Sequence, residues 1–143
     1  MSEHEGKISP EVSEEQFKNL LGYYFLSFDD IVKADGKAAA QTMENLFLRA
    51  IQKGLLCIDD SDGLKVIMKL SKPAGDFSEI IFDGDKVAKA RIAMGKVTGE
   101  GADEARQNVF MGCLSGLPAT EFEKLKGGDL TIYTRLAAVF SLV

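Results

Sequence analysis

The chain has 143 residues, of which 45% are hydrophobic and 27% are charged, and its formal net charge is −5. This size and balance are typical of one globular domain with its own core, and no run of about 18 apolar residues is present that would predict a membrane span. The polar N-terminal residues lack the apolar core of a signal peptide, so we expect a cytoplasmic protein.

The N-terminal region is predicted to contain a tail and a helix. Residues 1–11 are acidic and contain Gly6 and Pro10, which predicts a disordered tail. Ser13 is a candidate N-cap, with Gln16 three residues later as in a capping box. The apolar residues that follow recur at helical spacing and are predicted to face the core; they are Phe17, Leu20, Leu21, Tyr24, Phe25 and Phe28.

Two further helical segments precede the first predicted strand. Ser27 or Asp29 is the candidate cap of a short helical turn, which Asp35 and Gly36 are placed to end. A longer helix with a single apolar stripe follows, and Gly54 has the position expected of a helix-ending glycine.

The stretch from residue 55 to residue 82 has the pattern of a small antiparallel sheet. Apolar residues alternate with lysines over residues 65–70, which is the period of a half-buried strand. Asp62 and Gly63 indicate a hairpin turn, because glycine adopts a positive φ without strain. We therefore predict a two- or three-stranded β-meander within an α+β fold that is mostly helical.

The remainder of the chain is predicted to be helical. Asp85 is the candidate cap of a helix that runs to about Val97, and Gly116 with Pro118 marks the end of the next helix. Asp129 is the candidate cap of the final helix, which is apolar on nearly all sides. The predicted single domain, residues 12–143, has a helical part, a β-meander and a second helical part at residues 12–54, 55–82 and 85–143.

No arrangement of residues typical of an enzyme or a metal site is present in the sequence. If the run Asp59 to Gly63 were a calcium loop, Ile58 and Lys69 would occupy positions that need oxygen ligands. The only histidine, His4, has no second histidine or cysteine cluster to act with. We therefore predict no catalytic residue, no cofactor and no bound metal.

Charge and cysteine usage bear on two other classes of function. Residues 1–63 carry 12 acids and 6 bases, whereas residues 64–96 carry 4 acids and 7 bases. No aromatic residue lies among the bases of residues 86–96, so we predict a solvated helix face rather than a nucleic-acid site. Cys57 and Cys113 lie in apolar surroundings without a C-x-x-C spacing, which favours buried free thiols.

Two stretches of the second half carry a family resemblance. The first is VIMKLSKP at residues 66–73 with SEIIFD at residues 78–83, and the second is GLPATEFEKLKGGDL at residues 116–130, followed by an apolar helix. In order and spacing they resemble the tail assembly chaperones of tailed bacteriophages, especially the small proteins encoded near the tape measure gene of contractile tails. The resemblance covers roughly residues 64–143, and about sixty residues precede it.

The resemblance implies a protein without enzymatic activity. Such chaperones are thought to bind the long tape measure protein, keep its apolar helices soluble and help the tail tube to polymerise, in the cytoplasm of the bacterial host. Apolar surface on the chaperone would cover apolar surface on the client, while the acidic charge keeps the complex soluble.

The final helix is the predicted contact with a partner, because its apolar residues are too many for one buried stripe. Its candidate partner-binding residues are Leu130, Tyr133, Leu136, Val139 and Phe140. The expected partner is the tape measure protein, another tail protein or a second copy of this chain, and neither nucleic acid nor a membrane is expected. A structural component of the tail or baseplate, and an adaptor domain unrelated to phages, stay open as alternatives.

Overall fold

The computed structural model describes residues 8–74 and 77–143, and over these residues the fold is α+β and mostly helical, as predicted. The helices are α1 (Pro10–Tyr23), α2 (Phe28–Asp35), α3 (Lys37–Gln52), α4 (Val87–Met94), α5 (Asp103–Ser115) and α6 (Gly127–Ser141). The strands are β1 (Leu56–Asp59), β2 (Lys65–Ala74) and β3 (Phe77–Asp83). Short 3-10 turns at Gly84–Lys86 and Ala119–Lys124 complete the described elements.

The three strands form one antiparallel meander in the order β1–β2–β3, which confirms the predicted sheet. Gly63 has a φ of +71° in the turn between β1 and β2, a conformation that favours glycine. On β2, Val66 and Met68 are fully buried and Lys69 is exposed, so the alternating pattern marks one core face and one solvent face. Val66 pairs with Ile58 on β1 and with Phe82 on β3.

The hydrophobic core lies between the inner face of this sheet and the helices. Phe82 of β3 is near its centre, because its ring packs within about 6.5 Å of the rings of Phe122, Tyr133 and Phe140. Such aromatic pairs stabilise a core beyond the area that they bury. The core therefore joins β3 to α6 and to the 3-10 turn before it.

Helix α1 begins earlier than the sequence pattern predicted. Its N-cap is Ser9, whose side-chain oxygen accepts a hydrogen bond from the Val12 N–H at 3.3 Å, and Pro10 occupies the first helical position. Ser13 is fully buried inside the helix, where its hydroxyl donates to the Pro10 carbonyl oxygen at 2.8 Å. The predicted cap at Ser13 is therefore wrong, and the predicted tail over residues 1–11 is wrong at its end. Residues 1–7 lie outside the described residues.

The helix caps predicted at Asp85 and Asp129 are also wrong. The helical segment after β3 is capped by Asp83, whose carboxylate accepts from the Asp85 N–H at 3.0 Å. Helix α6 begins at Gly127, so Asp129 is its third residue rather than its cap. Although α6 is strongly apolar, none of the helices in residues 8–74 and 77–143 combines the length and apolar character needed to cross a membrane.

Candidate protein-binding surface

The structure places four of the five predicted partner-binding residues in the core. Tyr133 is 1% exposed, and Leu136, Val139 and Phe140 are fully buried beneath the sheet and the neighbouring helices. The outward positions of α6 are occupied instead by Thr131, Thr134 and Ser141, with Leu130 as an exposed apolar side chain at 43%. The prediction that α6 presents an apolar face to a partner is therefore wrong for Tyr133, Leu136, Val139 and Phe140.

The most exposed large apolar side chain in the described residues lies at the other end of the chain. Phe25 is 97% exposed and has a φ of +60°, the left-handed conformation. Phe25 was predicted to belong to the core stripe of the first helix, and that prediction is wrong because α1 ends at Tyr23. A bulky residue with a positive φ is rare, because its Cβ crowds the following carbonyl oxygen.

The hydrogen bonds at the end of α1 explain this conformation. The Leu26 N–H donates to the Leu21 carbonyl oxygen at 2.9 Å, and the Phe25 N–H donates to the Gly22 carbonyl oxygen at 3.0 Å. These two bonds define a Schellman motif, in which the residue at the position of Phe25 is usually glycine. A phenylalanine there is strained by about 1–2 kcal/mol relative to a right-handed conformation, and its exposed ring recovers none of this by burial.

Two tyrosines fix the end of α1 against the segment that follows β3. The Tyr24 hydroxyl donates to the Gly84 carbonyl oxygen at 2.6 Å, and its ring packs edge-on against Phe140. The Tyr23 hydroxyl donates to the Asp85 carboxylate, and this hydrogen bond raises the pKa of Tyr23. Burial raises the pKa of Tyr24 well above its usual range. The backbone that presents Phe25 is therefore anchored to the core rather than loosely held.

A groove of about 470 Å³ lies beside this turn, between α1, the start of α2 and α3. Phe17 and Leu21 of α1 form its buried floor, and half-buried Leu26, Phe28 and Leu48 contribute to its walls. Ser27, the N-cap of α2, lies at the edge of the groove. Its N–H donates to the Asp30 carboxylate at 2.8 Å. We call this groove the N-terminal groove; Phe25 does not line it but directly precedes Leu26, which does.

Two acids and one base lie at the border of the N-terminal groove. Glu14 and Glu44 line it, and Lys18 is the single base among its lining residues. Over residues 9–30 the chain carries one base and five acids, which are Glu11, Glu14, Glu15, Asp29 and Asp30. An apolar floor with a charged border is the arrangement by which proteins accept the apolar face of a partner helix.

The aspartate-rich turn between β1 and β2 is held by its own hydrogen bonds. The Asp59 carboxylate accepts from both the backbone N–H and the hydroxyl of Ser61, and these bonds lower the pKa of Asp59. Within residues 8–74 and 77–143, no group of three or more histidine, cysteine, aspartate or glutamate side chains has the geometry to hold a metal ion. Both cysteines are free, but the predicted burial is wrong for Cys57, which is exposed on the outer face of β1, and Cys113 on α5 is only half-buried.

The two stretches that carry the family resemblance contact each other. Asp129 is 1% exposed, and its carboxylate accepts three hydrogen bonds of 3.0 Å from the Ser71 N–H, the Ser71 hydroxyl and the Lys72 N–H. Charge-assisted bonds of this kind are about twice as strong as neutral ones. The Ser-Lys-Pro segment of β2 is thereby joined to the first turn of α6.

Comparison of the chain with protein-family models, with curated proteins and with solved structures found no match. What the chain does is therefore argued from its own surface and from the motifs already described.

The sequence contained one signal for the exposed turn. Ser27 was a candidate N-cap, and a cap at Ser27 requires the chain to leave α1 before that residue. The residues between two helices cannot all stay on the stripe of the first helix, so Phe25 could have been assigned to a turn. The residue types did not predict the end of α1, because Phe25 occupies the Schellman position that usually contains glycine.

Proposed function

We propose that this chain is a phage tail assembly chaperone that binds an apolar helical segment of the tape measure protein in the N-terminal groove. The role is non-enzymatic and is carried out in the cytoplasm of the bacterial host. The observation that carries the proposal is Phe25, an aromatic ring that is 97% exposed on a strained backbone beside an apolar groove.

Two features of the chain support this function over a purely structural role for the groove. Strained backbone conformations are concentrated at functional sites. Glycine would be more stable than phenylalanine at this position, so stability does not account for the exposed ring. The second feature is the contact between Asp129 and the Ser71–Lys72 segment, which joins the two stretches on which the resemblance to tail assembly chaperones rests. In this proposal the resembling half forms the scaffold, and the N-terminal helices carry the binding surface.

The physical basis of client binding is the burial of apolar surface. A tape measure helix in solution exposes apolar residues that favour aggregation, and in this proposal the groove covers them with Phe17, Leu21 and Phe28, while the exposed ring of Phe25 offers a further apolar contact beside the groove. The acidic side chains around the groove stay in water, so the complex keeps a charged, soluble exterior.

The test is coexpression of the chain with the tape measure protein of the same phage. We expect Phe25→Asp to leave the circular dichroism spectrum unchanged, because Phe25 contributes no buried surface. The same variant should lose soluble, co-purifying tape measure protein, with affinity reduced about a hundredfold, because the complex would bury an unpaired charge.

The matched control is Ile92→Asp on α4. Ile92 is also a large exposed apolar residue, at 69%, but it lies outside the N-terminal groove. We expect this variant to capture the tape measure protein at least as well as the unmodified chain. Equal loss in both variants, or full capture by Phe25→Asp, would contradict the assignment of the groove as the client site.

A further inference from the structure

A second groove runs along α5, on a part of the surface that the N-terminal groove does not include. It consists of two cavities, of about 420 Å³ and about 490 Å³, which both border Val109 of α5 and Ala119 of the following 3-10 turn. Neither cavity shares a lining residue with the N-terminal groove. We call the two cavities together the α5 groove.

The two halves of the α5 groove carry opposite charge. The smaller cavity is lined by Glu104 and Glu123 and by no base, and the larger one by Lys86 and Lys89 and by no acid. All four residues are exposed, and none of them forms an ion pair with another of residues 8–74 and 77–143. The groove therefore complements a ligand that carries one charge of each sign.

A buried amide lies in the acidic half of the groove. Asn108 is 8% exposed, and its side-chain oxygen accepts from the Tyr133 hydroxyl at 2.7 Å. Its side-chain nitrogen has no hydrogen-bond partner in the part of the chain that the structure describes, where every enclosed side-chain nitrogen or oxygen has one. This N–H donor is therefore open to the groove, where a carbonyl oxygen of a peptide backbone is a suitable acceptor.

The length of the groove favours an extended chain over a helix. Glu104 and Cys113 lie in its two halves on α5, about 14 Å apart at 1.5 Å of rise per residue. An extended chain covers this distance in about four residues, and its residues i and i+4 point to the same side. In a helix, side chains four residues apart are separated by only about 6 Å and cannot reach both ends.

We propose that the α5 groove binds an extended peptide segment of a partner protein in which a basic and an acidic residue are four positions apart. The basic side chain pairs with Glu104 and Glu123, and the acidic side chain pairs with Lys86 and Lys89. A backbone carbonyl oxygen of the peptide accepts from the Asn108 amide. The residue midway between the two charges faces Val109 and Ala119, so it is small or apolar. This site is separate from the N-terminal groove and does not rest on the proposed function.

The first test is a fluorescence anisotropy titration of the purified full chain with labelled synthetic peptides. The matched peptide is Ala-Arg-Thr-Val-Thr-Glu-Ala, and it is tested together with its reversed order because the geometry fixes no chain direction. One control replaces both charged residues by glutamine, and another places them three positions apart, on opposite sides of the extended chain. We expect at least one matched order to bind about tenfold tighter than both controls.

The acidic half of the groove is tested by charge reversal. Glu104→Lys should weaken binding of the matched peptide about tenfold, because it places a base opposite the arginine of the peptide. The matched control is Glu15→Lys on α1, which makes the same change in net charge at an exposed acid outside the groove. We expect the control to bind as the unmodified chain does, and circular dichroism checks that both variants are folded.

The two free thiols provide a second measurement. Cys113 is half-buried and lines the basic half of the groove, whereas Cys57 is exposed on β1. A saturating matched peptide should slow alkylation of Cys113 by iodoacetamide several-fold and leave the rate at Cys57 unchanged. Mass spectrometry of the two cysteine-containing fragments measures both rates in one sample.

Three results would overturn the proposal. The first is equal affinity for the matched peptides and both control peptides. The second is equal weakening by Glu104→Lys and Glu15→Lys, which would mean that net charge alone attracts the peptide. The third is an unchanged alkylation rate at Cys113 with the matched peptide at saturation.

Discussion

At the scale of single residues, Phe25 combines a positive φ with the most exposed large apolar side chain of the described residues. Phe25 has a positive φ in a Schellman motif, and the neighbouring Tyr24 anchors this turn to the Gly84 carbonyl oxygen. Strain of this kind persists only when the surrounding structure over-determines it. Function and stability are therefore expected to separate at this position.

We predict that Phe25→Gly stabilises the protein while it impairs client binding. Glycine removes the left-handed strain of the side chain, and its greater freedom in the unfolded chain offsets part of the gain, so the free energy of unfolding should rise by about 1 kcal/mol. Urea denaturation measures the change. A decrease in stability would show that the Phe25 ring packs on the folded chain rather than serving a partner.

We predict that Tyr133→Phe lowers the stability of the protein and leaves client binding unchanged. The Tyr133 hydroxyl donates to the buried Asn108 side-chain oxygen at 2.7 Å, so its removal leaves a buried acceptor unpaired and should cost about 2 kcal/mol. Capture of the tape measure protein should be unchanged once expression is matched. Loss of capture at full stability would return the binding site to α6.

The same tyrosine makes stability depend on pH in the alkaline range. Burial raises the pKa of Tyr133 in the folded chain above its value in the unfolded chain. The contribution of the neutral Tyr133 side chain to the free energy of unfolding is therefore complete below about pH 10, the ordinary tyrosine pKa. It is lost as the pH rises above that value. In urea titrations between neutral and alkaline pH, Tyr133→Phe should show a shallower alkaline decline than the unmodified chain, with Tyr24 contributing to the decline that remains.

At the scale of secondary-structure elements, the main connections are made by side chains that reach across the fold. Asp129 in the first turn of α6 binds the β2 backbone at Ser71 and Lys72, and the tyrosines of α1 bind the turn after β3. Gln16 of α1 accepts from the Ile58 N–H at 3.0 Å, which satisfies an edge of β1. Helices α1 and α6 are thereby each fixed to the sheet or to the turn that follows it.

We predict that Asp129→Asn lowers the free energy of unfolding by about 2 kcal/mol. An amide has one acceptor oxygen and one donor group, so either orientation places a donor against a backbone N–H that Asp129 now accepts from. The control is Asp103→Asn, another acid in the first turn of a helix but one that is exposed. Similar effects in both variants would mean that helix-end charge, not the contact with β2, is the source of the stabilisation.

The sheet and the glycine-marked ends of α2, α3 and α5 could be predicted from the sequence, whereas both ends of α1 and the starts of α4 and α6 could not. The alternation over residues 65–70 and the glycine at position 63 leave one register for β2, so the meander followed directly. The start of α1 was misjudged because two serines could each cap it, and Pro10 at the first helical position favours Ser9.

The candidate site was missed because burial depends on tertiary packing. Periodicity shows that α6 is apolar, but it does not show that the sheet and the neighbouring helices cover Leu136 and Phe140 completely. The helical spacing also predicted a buried position for Phe25, because phenylalanine is not a residue type that indicates the end of a helix. Both errors moved the predicted binding surface from the N-terminal helices to α6.

At the scale of the whole molecule, the sheet and the C-terminal helices form the proposed scaffold, and the N-terminal helices carry the proposed binding surface. The apolar residues of the sheet, α5 and α6 are largely buried in the core. The N-terminal helices carry the N-terminal groove, its charged border and Phe25. Four bases, Lys86, Lys89, Arg91 and Lys96, lie on or beside α4 and do not line this groove.

The most direct test of the proposed client site is amide hydrogen exchange on the full chain, with and without a saturating tape measure peptide. We predict that the peptide slows exchange at residues 21–28 and 44–48, which contribute the turn and the walls of the N-terminal groove. Exchange within α6 should change little, because its core-facing residues are already buried. Protection confined to residues 127–141, with none at residues 21–28, would contradict the account.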